Sequence, residues 1–295
     1  MAEATATLST AGVDAPKLVA QVLMAHALGL PRASVVVTPP SQALQSYQLT
    51  AFRALVMRCA NREPMAYVVG HTEFYGLDFI TDRRALIPRP ETEHLVELAL
   101  ARIKALPAPL SVTQTGSLKT PIVDVGTGTG CIVISLAAKL PHMRFLASDV
   151  SSSALALAQE NAKRHGVSAR IQFLRGDLLA PVPMRVDGVI GNLPYVTAAE
   201  WQTLPRHIRD YEPRTALDGG ADGLDFIRKL LARAAQRVKP DGWLLLEIGA
   251  TQGQAVTALV RQAFPLAAIN LHRDYAGLTR VAEIQLRSVP GVKIR

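Results

Sequence analysis

Residues 122–130 read Ile-Val-Asp-Val-Gly-Thr-Gly-Thr-Gly, and an apolar helical pattern at 131–140 follows at once. A short apolar run before a glycine-rich turn predicts a buried strand that passes directly into a helix. Glycine suits such a turn because it adopts backbone conformations that a Cβ atom disfavours and lets a ligand approach the main chain. These residues therefore predict the first strand–loop–helix unit of an α/β domain.

Strand and helix patterns alternate on the carboxyl side of this unit. Strands are expected at 145–148, 170–174, 186–190, 243–248, 268–272 and 281–286, and helices at 153–165, 223–238 and 252–264. Such alternation specifies a mostly parallel sheet that is covered by helices on both faces. The expected fold class is therefore α/β, with a seven-stranded, Rossmann-like sheet that binds ligands at the carboxyl ends of its strands.

The amino-terminal part of the chain shows a different pattern. Apolar side chains recur at helical spacing between residues 14 and 62, and an alternating pattern around Gly76 predicts a β-hairpin whose first strand includes 67–69. We therefore expect an N-terminal helical domain at 1–65, a β-hairpin linker at 66–88 and a ligand-binding domain at 89–295. The helical domain is either a folding appendage or a docking surface for a large substrate.

Charge and cysteine content narrow the classes of partner and the cellular compartment that are expected. The formal net charge is +8, which favours acidic partners, although the basic residues form no run typical of a nucleic-acid-binding arm and solubility explains the charge equally well. Cys59 and Cys131 lie too far apart for a disulfide framework or a zinc site, so we expect no metal and a reducing compartment. With neither a secretory signal nor an apolar run of about 20 residues, the expected location is the cytoplasm.

The glycine-rich loop points to a cationic ligand. A dinucleotide fingerprint would require glycine at position 131, where this chain has Cys131. Asp124 precedes the loop and would repel phosphate, whereas it suits the amino group and sulfonium of S-adenosylmethionine. Asp149 ends the next strand and could accept hydrogen bonds from ribose hydroxyls, although it could also cap the following helix. The candidate cofactor-binding residues here are Gly126, Thr127, Gly128, Thr129, Gly130 and Asp149.

A second candidate contact follows the third strand. Asp177 would lie near the adenine and accept a hydrogen bond from its exocyclic amine, while Leu178 would give apolar contact to the purine. Aspartate is also an ordinary loop residue, so a purely structural role stays open.

The chemical end of the site is expected after the fourth strand, at Asn192-Leu193-Pro194-Tyr195. An amide or arylamine nitrogen is a poor nucleophile because its lone pair is delocalised. A site that methylates it must accept its hydrogens, which the Asn192 side-chain carbonyl and the Leu193 backbone carbonyl can do, while Tyr195 offers a flat face for stacking. The alternative is an ordinary turn, for which Asn and Pro are common residues.

This tetrapeptide resembles the Asn-Pro-Pro-Tyr motif of amino-methyltransferases that act on adenine, cytosine or glutamine, and it departs from that motif at Leu193. A fuller resemblance, to the release factor glutamine methyltransferases, extends over nearly the whole chain. It is carried by the glycine loop and by Phe74-Tyr75-Gly76, Leu86-Ile87-Pro88-Arg89-Pro90-Glu91-Thr92-Glu93, Tyr211-Glu212-Pro213-Arg214-Thr215-Ala216-Leu217-Asp218-Gly219-Gly220 and Asp222-Gly223-Leu224.

The resemblance implies the sheet of class I methyltransferases, S-adenosyl-L-methionine as cofactor and S-adenosyl-L-homocysteine as product. It implies methylation of the glutamine in the Gly-Gly-Gln motif of peptide chain release factors, with Asn192 and the carbonyl of residue 193 holding the glutamine amide and Asn192 also contacting the cofactor. We expect a monomer that binds no nucleic acid stably and no membrane. The alternatives are methylation of a nucleic-acid base, methylation of a ribosomal-protein glutamine, and a non-catalytic protein that binds the same cofactor.

Overall fold

The computed structural model describes residues 1–37, 45–105 and 122–287. Its helices are α1 (Ala2–Thr10), α2 (Pro16–Leu28), α3 (Arg32–Val37), α4 (Ser46–Ala60), α5 (Met65–Val69), α6 (Glu91–Lys104), α7 (Cys131–Lys139), α8 (Ser152–Arg164), α9 (Ala198–Thr203), α10 (Arg206–Arg209), α11 (Asp225–Arg237) and α12 (Gly253–Ala263). Its strands are β1 (His71–Phe74), β2 (Leu77–Ile80), β3 (Ile122–Val125), β4 (Phe145–Asp149), β5 (Ile171–Arg175), β6 (Val186–Asn192), β7 (Val238–Glu247), β8 (Ala268–Arg273) and β9 (Thr279–Gln285).

These elements form two compact units. One unit contains Met1–His71, Thr81–Arg83 and Leu204–Glu212, and the other contains Thr72–Ile80, Arg84–Thr203 and Pro213–Arg295. The division into 1–65, 66–88 and 89–295 stays a prediction.

The first unit is helical, as the amino-terminal pattern predicts. Helices α1, α2, α4 and α5 contribute to one apolar core that includes Leu8, Leu23 and Phe52, each at most 3% exposed. The segment Leu204–Glu212 belongs to this unit, where the Tyr211 hydroxyl donates a hydrogen bond to the Asn61 carbonyl at 2.9 Å.

The predicted hairpin is present, but its first strand begins later than expected. Residues 67–69, predicted as a strand, are the last three residues of the short helix α5. The helix starts after Pro64 and stops at Gly70, where φ is +80°, and its three last residues are all buried. A short apolar run of this kind does not distinguish a buried strand from a buried helical turn. Strands β1 and β2 then pair through a two-residue turn, with positive φ at Tyr75 and Gly76.

The second unit contains the predicted seven-stranded sheet. Its strand order is β5-β4-β3-β6-β7-β9-β8. The pairs from β5 through β7 are parallel, and β9 pairs antiparallel with both β7 and β8. One apolar core lies between the sheet and helices α6, α7 and α8, and a second between the opposite face and helices α11 and α12. The mostly parallel α/β prediction is confirmed.

The strand order fixes where a ligand can bind. The chain moves outward from β3 to β4 and β5, and then returns to the other side of β3 to form β6. In such sheets a crevice opens at the carboxyl ends of the strands where the order reverses. Here these strands are β3 and β6, so the crevice lies between the glycine loop and Asn192.

The centre of the sheet is closely packed at Gly188 on β6. A Cβ atom built on Gly188 would lie 2.3 Å from Cζ2 of Trp243, which is 1% exposed on the neighbouring strand. The indole ring therefore occupies the space that a larger side chain at position 188 would need.

We predict that Gly188→Ala lowers the free energy of unfolding by about 1–3 kcal/mol, because the added methyl overpacks this contact. The change is measured by unfolding the protein with denaturant while following a signal of tertiary structure in the second unit. In a Trp243→Phe background, which removes the clashing ring, the same substitution should cost less. An equal cost in both backgrounds would rule out the indole as the cause.

Candidate functional site

The glycine loop follows β3 as predicted and is fastened to the end of β4. The amides of Gly126 and Thr127 donate to the Ser148 carbonyl at 2.8 and 3.0 Å. A Cβ atom on Gly130 would lie 2.7 Å from Ile134 Cδ1, in a residue whose φ is already +81°. Glycine is therefore required at this position both by conformation and by the packing of helix α7.

Asp149, at the end of β4, organises the same loop. Its Oδ2 accepts a hydrogen bond from the Gly128 amide and its Oδ1 accepts one from the Ser151 amide, each at 2.9 Å. Helix α8 is capped by Ser151, whose hydroxyl accepts from the Ala154 amide, so Asp149 is not the cap. Burial raises the pKa of Asp149, and each carboxylate oxygen keeps a lone pair for a further donor.

Asp124 lies underneath the loop. It is 1% exposed, and its Oδ2 accepts a hydrogen bond from the Thr127 hydroxyl at 2.7 Å. Burial raises the pKa of its carboxyl group to about 7. Asp124 is therefore a buried support of the loop, while its predicted attraction for a cationic ligand stays a prediction.

Residues 176–178 adjoin the end of β4. The Gly176 amide donates to the Asp149 carbonyl at 3.0 Å, and the Ser148 hydroxyl donates to the Leu178 carbonyl at 2.8 Å. The Asp177 carboxylate lies 3.2 Å from the Arg233 guanidinium, and the Leu178 side chain is buried in the core. That Asp177 and Leu178 contact the adenine stays a prediction. Asp177 already forms an ion pair with Arg233.

The tip of β6 contacts the glycine loop. A Cβ atom on Gly126 would lie 3.2 Å from Leu193 Cδ2, and one on Gly191 would lie 2.8 Å from Val125 Cγ2. Leu193 is 3% exposed, and its side chain packs in the core on one face of the sheet. The leucine that replaces the motif's first proline thus fills space beside the loop.

A buried polar network continues from Asn192. Its amide Nδ2 donates to Thr92 Oγ1 at 3.1 Å, and the Thr92 hydroxyl donates to Glu247 Oε2 at 2.7 Å. The Tyr195 hydroxyl donates to Glu247 Oε1 at 3.4 Å. Burial raises the pKa of Glu247 to about 7 and also raises the pKa of Tyr195.

Sequence reasoning did not assign a role to Thr92 or Glu247. Glu247 does carry a signal, since it is a charged residue at the carboxyl end of an apolar strand. Thr92 carries a signal only through the family resemblance of residues 86–93, because a threonine in the first turn of a helix is otherwise ordinary.

The backbone that follows Asn192 is held by residues from two other segments, one around Gly219 and one at Gln252. The Gly219 amide donates to the Val196 carbonyl at 2.8 Å, and the Gln252 side-chain Nε2 donates to the Tyr195 carbonyl at 3.0 Å. A Cβ atom on Gly219 would lie 2.7 Å from the Pro194 carbonyl oxygen, and one on Gly223 would lie 2.2 Å from that of Tyr195. These glycines are therefore needed for the close approach of two chain segments.

Comparisons with known proteins agree with this architecture. Residues 1–70 match the model of the PrmC N-terminal domain, and residues 107–208 match the methyltransferase small domain. A release factor glutamine methyltransferase of Nitratidesulfovibrio vulgaris is 40% identical over 92% of this chain and 89% of its own length. One from Moorella thermoacetica is also 40% identical, over 95% of each chain. This chain belongs to the release factor glutamine methyltransferase family.

Solved structures are similar in fold. The catalytic domain of human METTL16, crystallised with an RNA hairpin, has a TM-score of 0.54 at 18% identity and covers 83% of this chain and 84% of its own. A methyltransferase from Pyrococcus furiosus has a TM-score of 0.51 at 16% identity and covers 79% and 98%. At these identities the likeness shows the methyltransferase fold alone. The family resemblance and the class I fold inferred from the sequence are confirmed.

The described residues were also compared with the requirements for a membrane span and for a metal site. Within 1–37, 45–105 and 122–287, no helix is both long and apolar enough to cross a membrane. Over the same ranges, no three His, Cys, Asp or Glu side chains are grouped so that they could hold a metal ion.

We predict that Gln252→Leu lowers the free energy of unfolding by about 1–3 kcal/mol, because the Tyr195 carbonyl and the Gly249 amide both lose a buried partner. Chemical denaturation measures the loss. The control is Gln254→Leu on the exposed side of the same helix, which we expect to change stability by less than about 0.5 kcal/mol. Equal effects of the two substitutions would contradict the clamping role of Gln252.

Proposed function

We propose that this protein transfers a methyl group from S-adenosyl-L-methionine to the side-chain amide nitrogen of the glutamine in the Gly-Gly-Gln motif of peptide chain release factors. Membership of the family supports this activity. The observation that carries it is the orientation of Asn192. Its Nδ2 is engaged by Thr92, which leaves Oδ1 as a hydrogen-bond acceptor at the tip of β6, next to the glycine loop.

The residues at the tips of β3 and β4 fit the proposed cofactor. The carboxylate of Asp149 keeps acceptor capacity for ribose hydroxyls after binding two amides. Val150, next in the chain, is 65% exposed and offers apolar contact to a purine. The carboxylate of Asp177 and the glycine-rich backbone complete the proposed set, which comprises Gly126, Thr127, Gly128, Thr129, Gly130, Asp149, Asp177, Leu178 and Asn192.

The residues at the tip of β6 supply what a weak nucleophile needs. Asn192 Oδ1 and the Leu193 carbonyl would accept the two hydrogens of the glutamine amide, which fixes the nitrogen and stabilises the positive charge that develops there. The Tyr195 ring gives the planar amide a face to stack on, and Pro194 limits the flexibility of the loop. The bound cofactor supplies the methyl group, and correct placement of the nitrogen can contribute roughly 7–11 kcal/mol to lowering the barrier.

The proposed partner is a release factor, which would be the protein substrate. The proposed location of the reaction is the cytoplasm, as expected from the sequence. Methylation of a nucleic-acid base is less favoured, because the relatives are named for release factor glutamine, whereas the likeness to an RNA-bound domain concerns the fold. Methylation of a ribosomal-protein glutamine would use the same chemistry and is separated by the choice of substrate.

We predict that Asn192→Ala lowers kcat by about 100-fold or more and changes cofactor affinity by less than about tenfold, because the lost acceptor serves the transition state. Transfer of labelled methyl to purified release factor measures kcat, and calorimetry with S-adenosyl-L-homocysteine measures binding. Asn270→Ala, on the exposed face of β8, is the matched control.

The substrate provides a second control. A release factor with Gln→Ala in the Gly-Gly-Gln motif should accept no label. Labelling of that variant, or of RNA or DNA in place of release factor, would contradict the proposed function.

A further inference from the structure

We propose that Glu247 and Thr92 are positioning residues that determine which end of the Asn192 amide faces the substrate. The inference rests on the proposed function, since it concerns how the same site presents an acceptor to the glutamine nitrogen. An amide has a carbonyl oxygen at one end and an NH₂ group at the other, and only the oxygen can accept hydrogens from a substrate amide.

The direction of each hydrogen bond carries the inference. The Thr92 hydroxyl has a single hydrogen, and it is donated to Glu247 Oε2 at 2.7 Å. The Thr92 oxygen can then only accept, and it accepts from Asn192 Nδ2 at 3.1 Å. Because Nδ2 of Asn192 is bonded to Thr92, Oδ1 is the end of the amide that remains to accept a hydrogen bond from a substrate. The carboxylate thus sets the orientation of Asn192 through one intervening hydroxyl.

The fold keeps these groups together. Asn192 and Glu247 are register partners at the carboxyl ends of the adjacent parallel strands β6 and β7. Thr92 lies in the first turn of α6, and both Thr92 and Glu247 are 2% exposed. At this burial the hydroxyl has little access to water as an alternative partner, so its hydrogen remains with the carboxylate.

Loss of the carboxylate acceptor would remove this directionality. The Thr92 hydroxyl could then donate to Asn192 Oδ1, and the amide would turn its NH₂ group towards the substrate. Two NH₂ groups facing each other cannot hydrogen-bond, so the glutamine nitrogen would lose its main acceptor. Protonation of Glu247 should have a similar effect, because a carboxylic acid can itself donate to Thr92.

The groups around Glu247 favour a change of protonation near neutral pH. Burial raises the pKa of Glu247 to about 7, Glu91 from α6 also raises it, and Arg280 from β9 lowers it. The Tyr195 hydroxyl faces the carboxylate from the loop after β6, and the Cys131 thiol faces it from α7. The ionised form needed for orientation is therefore lost as the pH falls through about 7.

Three variants test the positioning role, each assayed with full-length protein and intact release factor. Glu247→Gln and Thr92→Val should each lower kcat by about 10–100-fold, the range expected for a misplaced reacting group. Binding of S-adenosyl-L-homocysteine should change by less than about threefold, within the variation of contacts that are not made to the cofactor. Thr92→Ser, which keeps the hydroxyl, should restore most of the kcat lost in Thr92→Val.

The pH profile separates positioning from a general structural role. In the wild-type protein, log kcat should rise with pH and level off above about 7, and in Glu247→Gln this acidic limb should be absent. Asp124→Asn is the control, because burial also raises the pKa of Asp124 to about 7. A limb that persists in Glu247→Gln would overturn the inference, and its disappearance in Asp124→Asn would assign it to Asp124 instead.

Failure of the inference is distinguishable from failure of the proposed function. Wild-type protein that methylates release factor, with unchanged kcat in both Glu247→Gln and Thr92→Val, would overturn the positioning role alone. Wild-type protein that labels no release factor would overturn the proposed function before any variant is compared.

Discussion

The contact between the tips of β3 and β6 is the constraint on which the site depends. The glycine loop can lie against the Asn192–Tyr195 loop because residue 126 has no side chain and the Leu193 side chain packs beside it, 3.2 Å from where a Cβ atom would be. The reversal of strand order places these two loops next to each other. A cofactor on one loop and a substrate amide on the other would therefore be separated by a short distance.

Two buried carboxyl groups, Asp124 and Glu247, support the two sides of this crevice. Asp124 supports the glycine loop from below, and Glu247 lies beside Asn192 at the end of the neighbouring strand. Both carboxyl groups are almost fully buried, and burial raises the pKa of each to about 7. Each accepts a hydrogen bond from a threonine hydroxyl, which ties Asp124 to Thr127 of the glycine loop and Glu247, through Thr92, to the Asn192 side chain.

The sequence predicted the parts of this structure that depend on local pattern. The seven strands and the helices between them follow from alternation, and the glycine loop and Asn192 follow from their positions at strand ends. The first strand of the hairpin was placed too early, because a buried apolar triplet at 67–69 is equally compatible with a helical turn. The assignment of individual site residues to cofactor and substrate stays a prediction.

The remaining features depend on contacts between distant segments, which no local pattern reveals. Thr92 and Glu247 are 155 residues apart and meet only because α6 packs over the end of β7. Gly219 and Gly223 resemble ordinary turn residues in the sequence, yet they are required by the close approach of the Pro194–Tyr195 backbone. The family resemblance includes the segments that contain Thr92, Gly219 and Gly223 but not Glu247, and the structure gives the physical reason for these residues.

A crystal structure of the protein with S-adenosyl-L-homocysteine tests the central claim most directly. The sulfur marks the position from which the methyl group leaves, and Asn192 marks the proposed position of the acceptor nitrogen. We expect the sulfur within about 8 Å of the Asn192 side chain, which leaves room for the methyl group and one hydrogen-bonded amide. A sulfur clearly farther away, or a cofactor bound at another edge of the sheet, would contradict the account.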